Sequence, residues 1–171
     1  MEAQHSNERG ALVRHLVATL AYRAAKVLRD APDGFADFSN GPSTRRPVQI
    51  VAHMGDLMGW AVRMLQGEMV WRPEGSPDWA TEVGRFFEGL ATLDRLLTSA
   101  TSLGPAAELL IQAPLADALT HVGQLAMLRG AAGAPVRPES YARAEIIAGR
   151  VGMDQAPPGR EFDGDASARP S

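Results

Sequence analysis

Apolar positions along this chain recur every three or four residues instead of alternating, which is the period of helices packed on one face. Over residues 8–30, Leu12, Leu16, Leu20 and Val27 fall near that spacing, Asn7 offers a cap, and the stretch from Asp30 to Gly34 stops the run. Pro47 suits a first turn and opens a second helix that runs to Gly67, with Ile50, His53, Leu57, Trp60 and Met64 on one stripe. Ser76 and Pro77 start a third, from about Asp78 to Ala100, with Val83, Phe86, Phe87, Leu90, Leu93 and Leu97 facing inward. Gly104 and Pro105 mark a break. Pro114 then predicts a short helical turn over 105–111 and a separate fourth helix over 114–132, closed by Gly133.

Residues 32–46 and 67–77 are rich in Pro, Gly and Asn-Gly or Ser-Pro pairs and predict loops long enough for a crossover or a lid. β-branched alternation is nearly absent. The expected fold is therefore all-α, a four-helix bundle in a single domain over 1–171, with its core at about 8–135 and a C-terminal extension at 136–171. That extension predicts a short helix near 138–148 and then an irregular Gly- and Pro-rich tail, disordered at its end.

Composition narrows the function classes. Hydrophobic residues make up 45% and charged residues 22%, ordinary for a globular protein. There is no cysteine, which removes disulfides, thiolate metal sites and a cysteine nucleophile, and fits a reducing cytoplasm. The first ten residues hold no apolar stretch to read as a signal peptide, and no run is long enough to span a bilayer. The net charge is −3 with a single lysine, and Arg45-Arg46 is the densest basic spot, so nucleic acid is disfavoured as a partner.

Four histidines remain: His5 in the polar N-terminal stretch, His15 at the edge of the first helix, and His53 and His121 on apolar faces. Asp117 stands one turn before His121 and Gln124 nearly one turn after it, so the three share a helix face. Bundles build metal sites from such side chains, an (i, i+4) pair on one helix and a third ligand on another. His53, Asp117 and His121 are therefore candidate metal ligands, and a three-ligand set leaves a position open for water or substrate. The plainer reading stands beside it: a hydrogen-bonded core histidine and a helix-surface Asp–His ion pair. Asp56, three residues after His53, is a candidate to orient it or an exposed helix residue; Gln124 and Trp60 are candidates to line the pocket. Trp71 and Trp79 read as loop and core anchors, Arg129 and Arg150 as anion-binding or solvated charges.

The segments VQIVAHMGDLMGWAVRMLQG (48–67) and DALTHVGQLAMLRGAAGAPV (117–136) resemble the second and fourth signature helices of the DinB-like superfamily. These are four-helix-bundle metal-binding proteins related to thiol-dependent transferases and to mycothiol-dependent maleylpyruvate isomerase. The likeness covers about residues 8–135, and His-Val-Gly-Gln followed by Leu-Arg is its most specific part. The resemblance implies that His53 is the first metal ligand and His121 the last. Where the family usually has the first histidine of an HxxxH pair, this chain has Asp117, so three histidines become two and a carboxylate. That set suits Zn or Ni first, with Mn or Fe(II) allowed.

The resemblance also implies a metal-dependent transferase or hydrolase acting on a small-molecule substrate, with a low-molecular-weight thiol as cosubstrate since the chain has no cysteine, and a homodimer with no membrane partner. The extension after 136 is outside the minimal pattern: it is placed to wrap back and close the pocket with Tyr141, Asp154 or Gln155 near its mouth, or to pack on the bundle without a functional role, the reading that suits each of the three residues taken alone. Two other classes remain: a non-catalytic ligand-binding bundle whose metal site has lapsed at Asp117, and a stress-associated protein acting through dimerisation.

Overall fold

A computed structural model describes residues 2–100, 103 and 105–162, with side chains from Glu8 onward. The helices are α1 (Glu2–Leu28), α2 (Pro47–Leu65), α3 (Trp79–Ser99), α4 (Ala106–Leu110) and α5 (Ala116–Ala131), with a π-helical turn, Ile111–Leu115, joining the last two. Short 3-10 turns lie at Phe35–Asp37 and Tyr141–Arg143. No strand occurs among the described residues, only an isolated antiparallel bridge between Glu139 and Glu161. The fold is the expected all-α bundle.

α2 packs against α3 and α5, and α1 packs against the same two, so the order around the bundle is α1, α3, α2, α5. Consecutive α2 and α3 are neighbours. The connection from α1 to α2 instead crosses the bundle diagonal. Phe35 anchors that crossing: it is buried, and its ring meets the edge of Trp79 at 5.8 Å. The core is a continuous apolar cluster that includes Val17, Leu20, Ala24, Met54, Met58, Phe86, Leu90, Leu93, Leu115 and Leu125.

Local chemistry explains the helix ends. Pro47 begins α2, where its missing N–H loses nothing, and the Gln49 side chain accepts from Arg46 N at 2.9 Å. Asp78 caps α3 by accepting from Thr81 N at 2.8 Å. α5 ends where Gly133 takes φ 78°, and Ala134 N reaches back to Arg129 O at 2.9 Å.

Three boundary expectations change. α1 begins at Glu2, so Asn7 lies inside it and is not its cap, and Leu12 is 69% exposed while Val13 and Val17 are buried. Leu20 and Val27 of the expected stripe are buried and Leu16 packs against the core, so only its first position moves, from Leu12 to Val13. Pro114 does not break the last helix. Instead of separating 105–111 from 114–132, the backbone widens into one π turn around the proline and continues. The C-terminal helix of the extension is only the 3-10 turn at Tyr141–Arg143. The expectations for His5, for Gly104 and for the end of the tail lie outside the described side chains and residues.

Candidate metal centre

α2 presents His53 and α5 presents Asp117 and His121 to the same point. The π turn stands directly before Ala116, so it sets the angular phase in which Asp117 and His121 leave the helix. One ligand atom from each of the three side chains lies within 4.8 Å of the others, and the group could hold a metal ion. His53 Nε2 is 3.3 Å from Asp117 Oδ2, and His121 Nε2 is 3.4 Å from Asp117 Oδ1. The imidazole rings stand perpendicular, with centroids 4.9 Å apart.

At 3.3 Å, His53 Nε2 and Asp117 Oδ2 are in hydrogen-bond contact, and the same spacing also fits a shared ion. Ligands bonded at 2.0–2.1 Å to one tetrahedral ion stand about 3.3 Å from each other. Gln124 Oε1 lies 2.7 Å from His121 Nδ1 and accepts its proton. With Nδ1 bonded to Gln124, Nε2 is the ring nitrogen that faces Asp117 and that a metal ion would take. Gln124 thereby acts as the outer partner that fixes tautomer and ring orientation. The side chains grade from closed to open: His121 is 9% exposed, His53 23% and Asp117 45%, so one side of the group meets solvent.

The loop 67–77 forms the opposite wall. Arg63 Nε donates to Val70 O at 3.0 Å, Glu74 N donates to Asp56 Oδ1 at 2.9 Å, and Ser76 N donates to Glu82 Oε1. Between these ties Trp71 lies with its centroid 5.5 Å from the His53 ring and 5.7 Å from Trp60. Trp60 therefore walls the His53 side through Trp71. The sequence placed Trp71 only as a loop anchor; its loop has no helical period from which a position can be computed.

Asp56 is neither exposed nor bonded to His53. It is buried, and it accepts from Arg85 Nη1 at 2.7 Å, which links α2 to α3. Arg85 also donates to Glu82 Oε2 from Nε at 2.8 Å and to Ala52 O from Nη2 at 2.6 Å. Gly55 makes room for this guanidinium, since a Cβ there would stand 2.8 Å from Arg85 Cζ. Asp56 also lines an open cleft of about 510 Å³ together with His53 and Arg45.

The remaining expected site residues lie elsewhere. Arg129 is buried and donates to Val27 O, Arg29 O and Ala134 O, capping the carboxyl end of α1 in place of an anion. Arg150 pairs with exposed Glu145 at 3.1 Å. The extension folds along α1, away from the His–Asp–His group: Tyr141 packs edge-on against Tyr22, Arg29 donates to Met153 O, and Gln155 donates to Arg150 O and Gly152 O. The clefts that open onto His53 and His121 contain none of Tyr141, Asp154 and Gln155. The strongest partners of the extension explain its course. Buried Glu139 accepts from Tyr22 Oη at 2.6 Å and from Lys26 Nζ at 2.8 Å.

No helix among the described residues is long and apolar enough to cross a membrane. No protein-family model, curated protein or solved structure matches this chain, so the functional reading rests on the geometry of the bundle and its His–Asp–His group.

Proposed function

We propose that the chain is a divalent-metal-dependent enzyme of the DinB-like kind, a transferase or hydrolase whose ion, Zn or Ni first, is held by His53, Asp117 and His121. The observation that carries this reading is the convergence of His53, Asp117 and His121, whose ligand atoms all lie within 4.8 Å of one another. With Nδ1 of His121 committed to Gln124, its Nε2 and Asp117 Oδ1 face each other at 3.4 Å. An ion held there stabilises a neighbouring anion and so turns a thiol or a water into a nucleophile near neutral pH.

The chain's own residues supply the rest. Gln124 keeps His121 in one tautomer. Trp71 and Trp60 line the His53 side, and half-exposed Asp117 leaves an approach for a small molecule. A thiol, if used, arrives as cosubstrate, because the sequence has no cysteine.

The test is elemental analysis after equilibration with Zn or Ni and removal of the excess. About one ion per chain is expected in the wild type and none in His121→Ala or Asp117→Ala, with circular dichroism checking that both variants remain helical. Zn at about a hundred times its Kd is expected to stabilise the wild type by about 2.7 kcal/mol and neither variant. A wild type that takes up no metal sinks the reading. A metal bound by His53 and His121 but indifferent to Asp117→Ala breaks this version of the ligand set.

A further inference from the structure

Two clefts flank the His–Asp–His group, and their linings share one residue, Arg45. The first, about 310 Å³, is lined by His121 and Gln124 on α5, by Ile50, Met127 and Leu128, and by the turn 40–45. The second, wider and more polar, contains His53 and Asp56. The volume of the first sits at the lower end of the range for small-molecule sites. Its floor is apolar through Ile50 and Leu128, and its rim carries Asn40, Ser43 and Arg45. Among the described residues, those three side chains make no hydrogen bond or ion pair. Neighbouring Arg46 differs, being paired with Asp37 at 3.3 Å.

The turn that carries these donors is held by its own bonds, so they are presented on a fixed backbone. Thr44 Oγ1 donates to Gly41 O at 2.9 Å, and Ser39 Oγ donates to the same oxygen at 3.2 Å. The result is an apolar pocket beside His121 with an uncommitted guanidinium and neutral donors at its lip. A guanidinium fork matches a planar carboxylate in two parallel bonds. One cation with neutral helpers suits a monoanion better than a phosphate dianion.

We propose that this cleft is a subsite for a small carboxylate with an apolar body, its carboxylate on Arg45 and its body on Ile50, Met127 and Leu128, beside the group that holds the ion. The assignment deepens the metal-enzyme reading and rests on it only in placing the reacting end of the ligand next to the ion; binding of the carboxylate itself needs no metal.

The probe is phenylacetate, titrated by calorimetry into chelator-treated protein and into Zn-loaded protein, with phenylethanol as the uncharged analogue. Phenylacetate is expected to bind both forms, and Arg45→Ala to weaken it roughly tenfold, as is phenylethanol against phenylacetate. Arg45→Lys is expected to recover part of the loss, and Arg46→Ala to change affinity less than about twofold, because Arg46 does not line this cleft. Equal binding by wild type and Arg45→Ala overturns the subsite, as does equal affinity for phenylethanol. Binding that appears only with Zn and ignores Arg45→Ala places the carboxylate on the ion and overturns it too. The two readings fail separately. Arg45-dependent binding without any metal uptake leaves the subsite standing and removes the metal enzyme; stoichiometric Zn with no phenylacetate binding does the reverse.

Discussion

The bundle holds carboxylates in two contrasting surroundings. Between α2 and α3, Asp56 and Glu82 are buried around Arg85, and their oxygens meet the guanidinium and the backbone N–H groups of Glu74 and Ser76, with every charge answered by protein. Between α2 and α5, Asp117 meets two imidazoles at 3.3 and 3.4 Å and stands nearly half exposed. The first group is closed and complete. The second is convergent and open to solvent, and that openness is what separates a binding site from a structural network built of similar residues.

The sharpest way to break this comparison is to remove the cation from the closed network. Arg85→Ala leaves Asp56 and Glu82 buried without a partner charge, and is expected to cost about 3 kcal/mol in urea unfolding, the penalty of an uncompensated buried ion. Because Glu74 and Ser76 are tied to those carboxylates, the same change should loosen the loop over His53 and alter Trp71 fluorescence. A loss below about 1 kcal/mol would mean that water already answers these charges, and the distinction between closed and open groups would fall.

Gln124→Ala tests the opposite side with a smaller effect. Gln124 is exposed, so the metal-free protein should change stability by less than about 0.5 kcal/mol. Zn affinity should nevertheless fall about tenfold, because the bond that fixes the His121 tautomer is gone. Unchanged Zn affinity would show that the ring is oriented by packing alone.

What the sequence made legible follows from where the signals are local. The start of α2 at Pro47, the stop at Gly133, and the common face of Asp117 and His121 each depend on residues within a turn or two, where spacing speaks directly. The path of the last helix through Pro114 was not legible, because the local rule predicts a break while packing of Leu110, Pro114 and Leu115 in the core holds the helix together through a π turn. Asp56 misled for a related reason. Three residues from His53 it shares a side of α2, but its partner Arg85 lies 29 residues on, beyond any period. Arg45 did carry a signal, as half of the densest basic pair. What the sequence left out was which of the two arginines Asp37 would claim.

The second closed group, at the far side of the bundle, allows the finest test. Tyr22 donates to buried Glu139, which also accepts from Lys26, and these bonds fasten the extension to α1 across more than a hundred residues of sequence. Burial pushes the Tyr22 hydroxyl well above its ordinary value, and its hydrogen bond to Glu139 pushes it further. Lys26 is moved the same way: burial alone would lower it, but Glu139 and Glu161 carry it above the usual lysine range. In the folded state Tyr22 keeps a proton that the unfolded chain gives up near pH 10. Its contribution is therefore complete below about pH 10 and is lost as pH rises beyond that. Tyr22→Phe should cost about 1 kcal/mol at pH 8, the net worth of one hydrogen bond to a charged acceptor that retains its other partner. Above about pH 10 the wild type should lose stability faster than the variant, so that urea midpoints measured at pH 8, 10 and 11 converge. Midpoints that stay parallel would mean that Tyr22 titrates alike folded and unfolded, and that Lys26 alone holds Glu139.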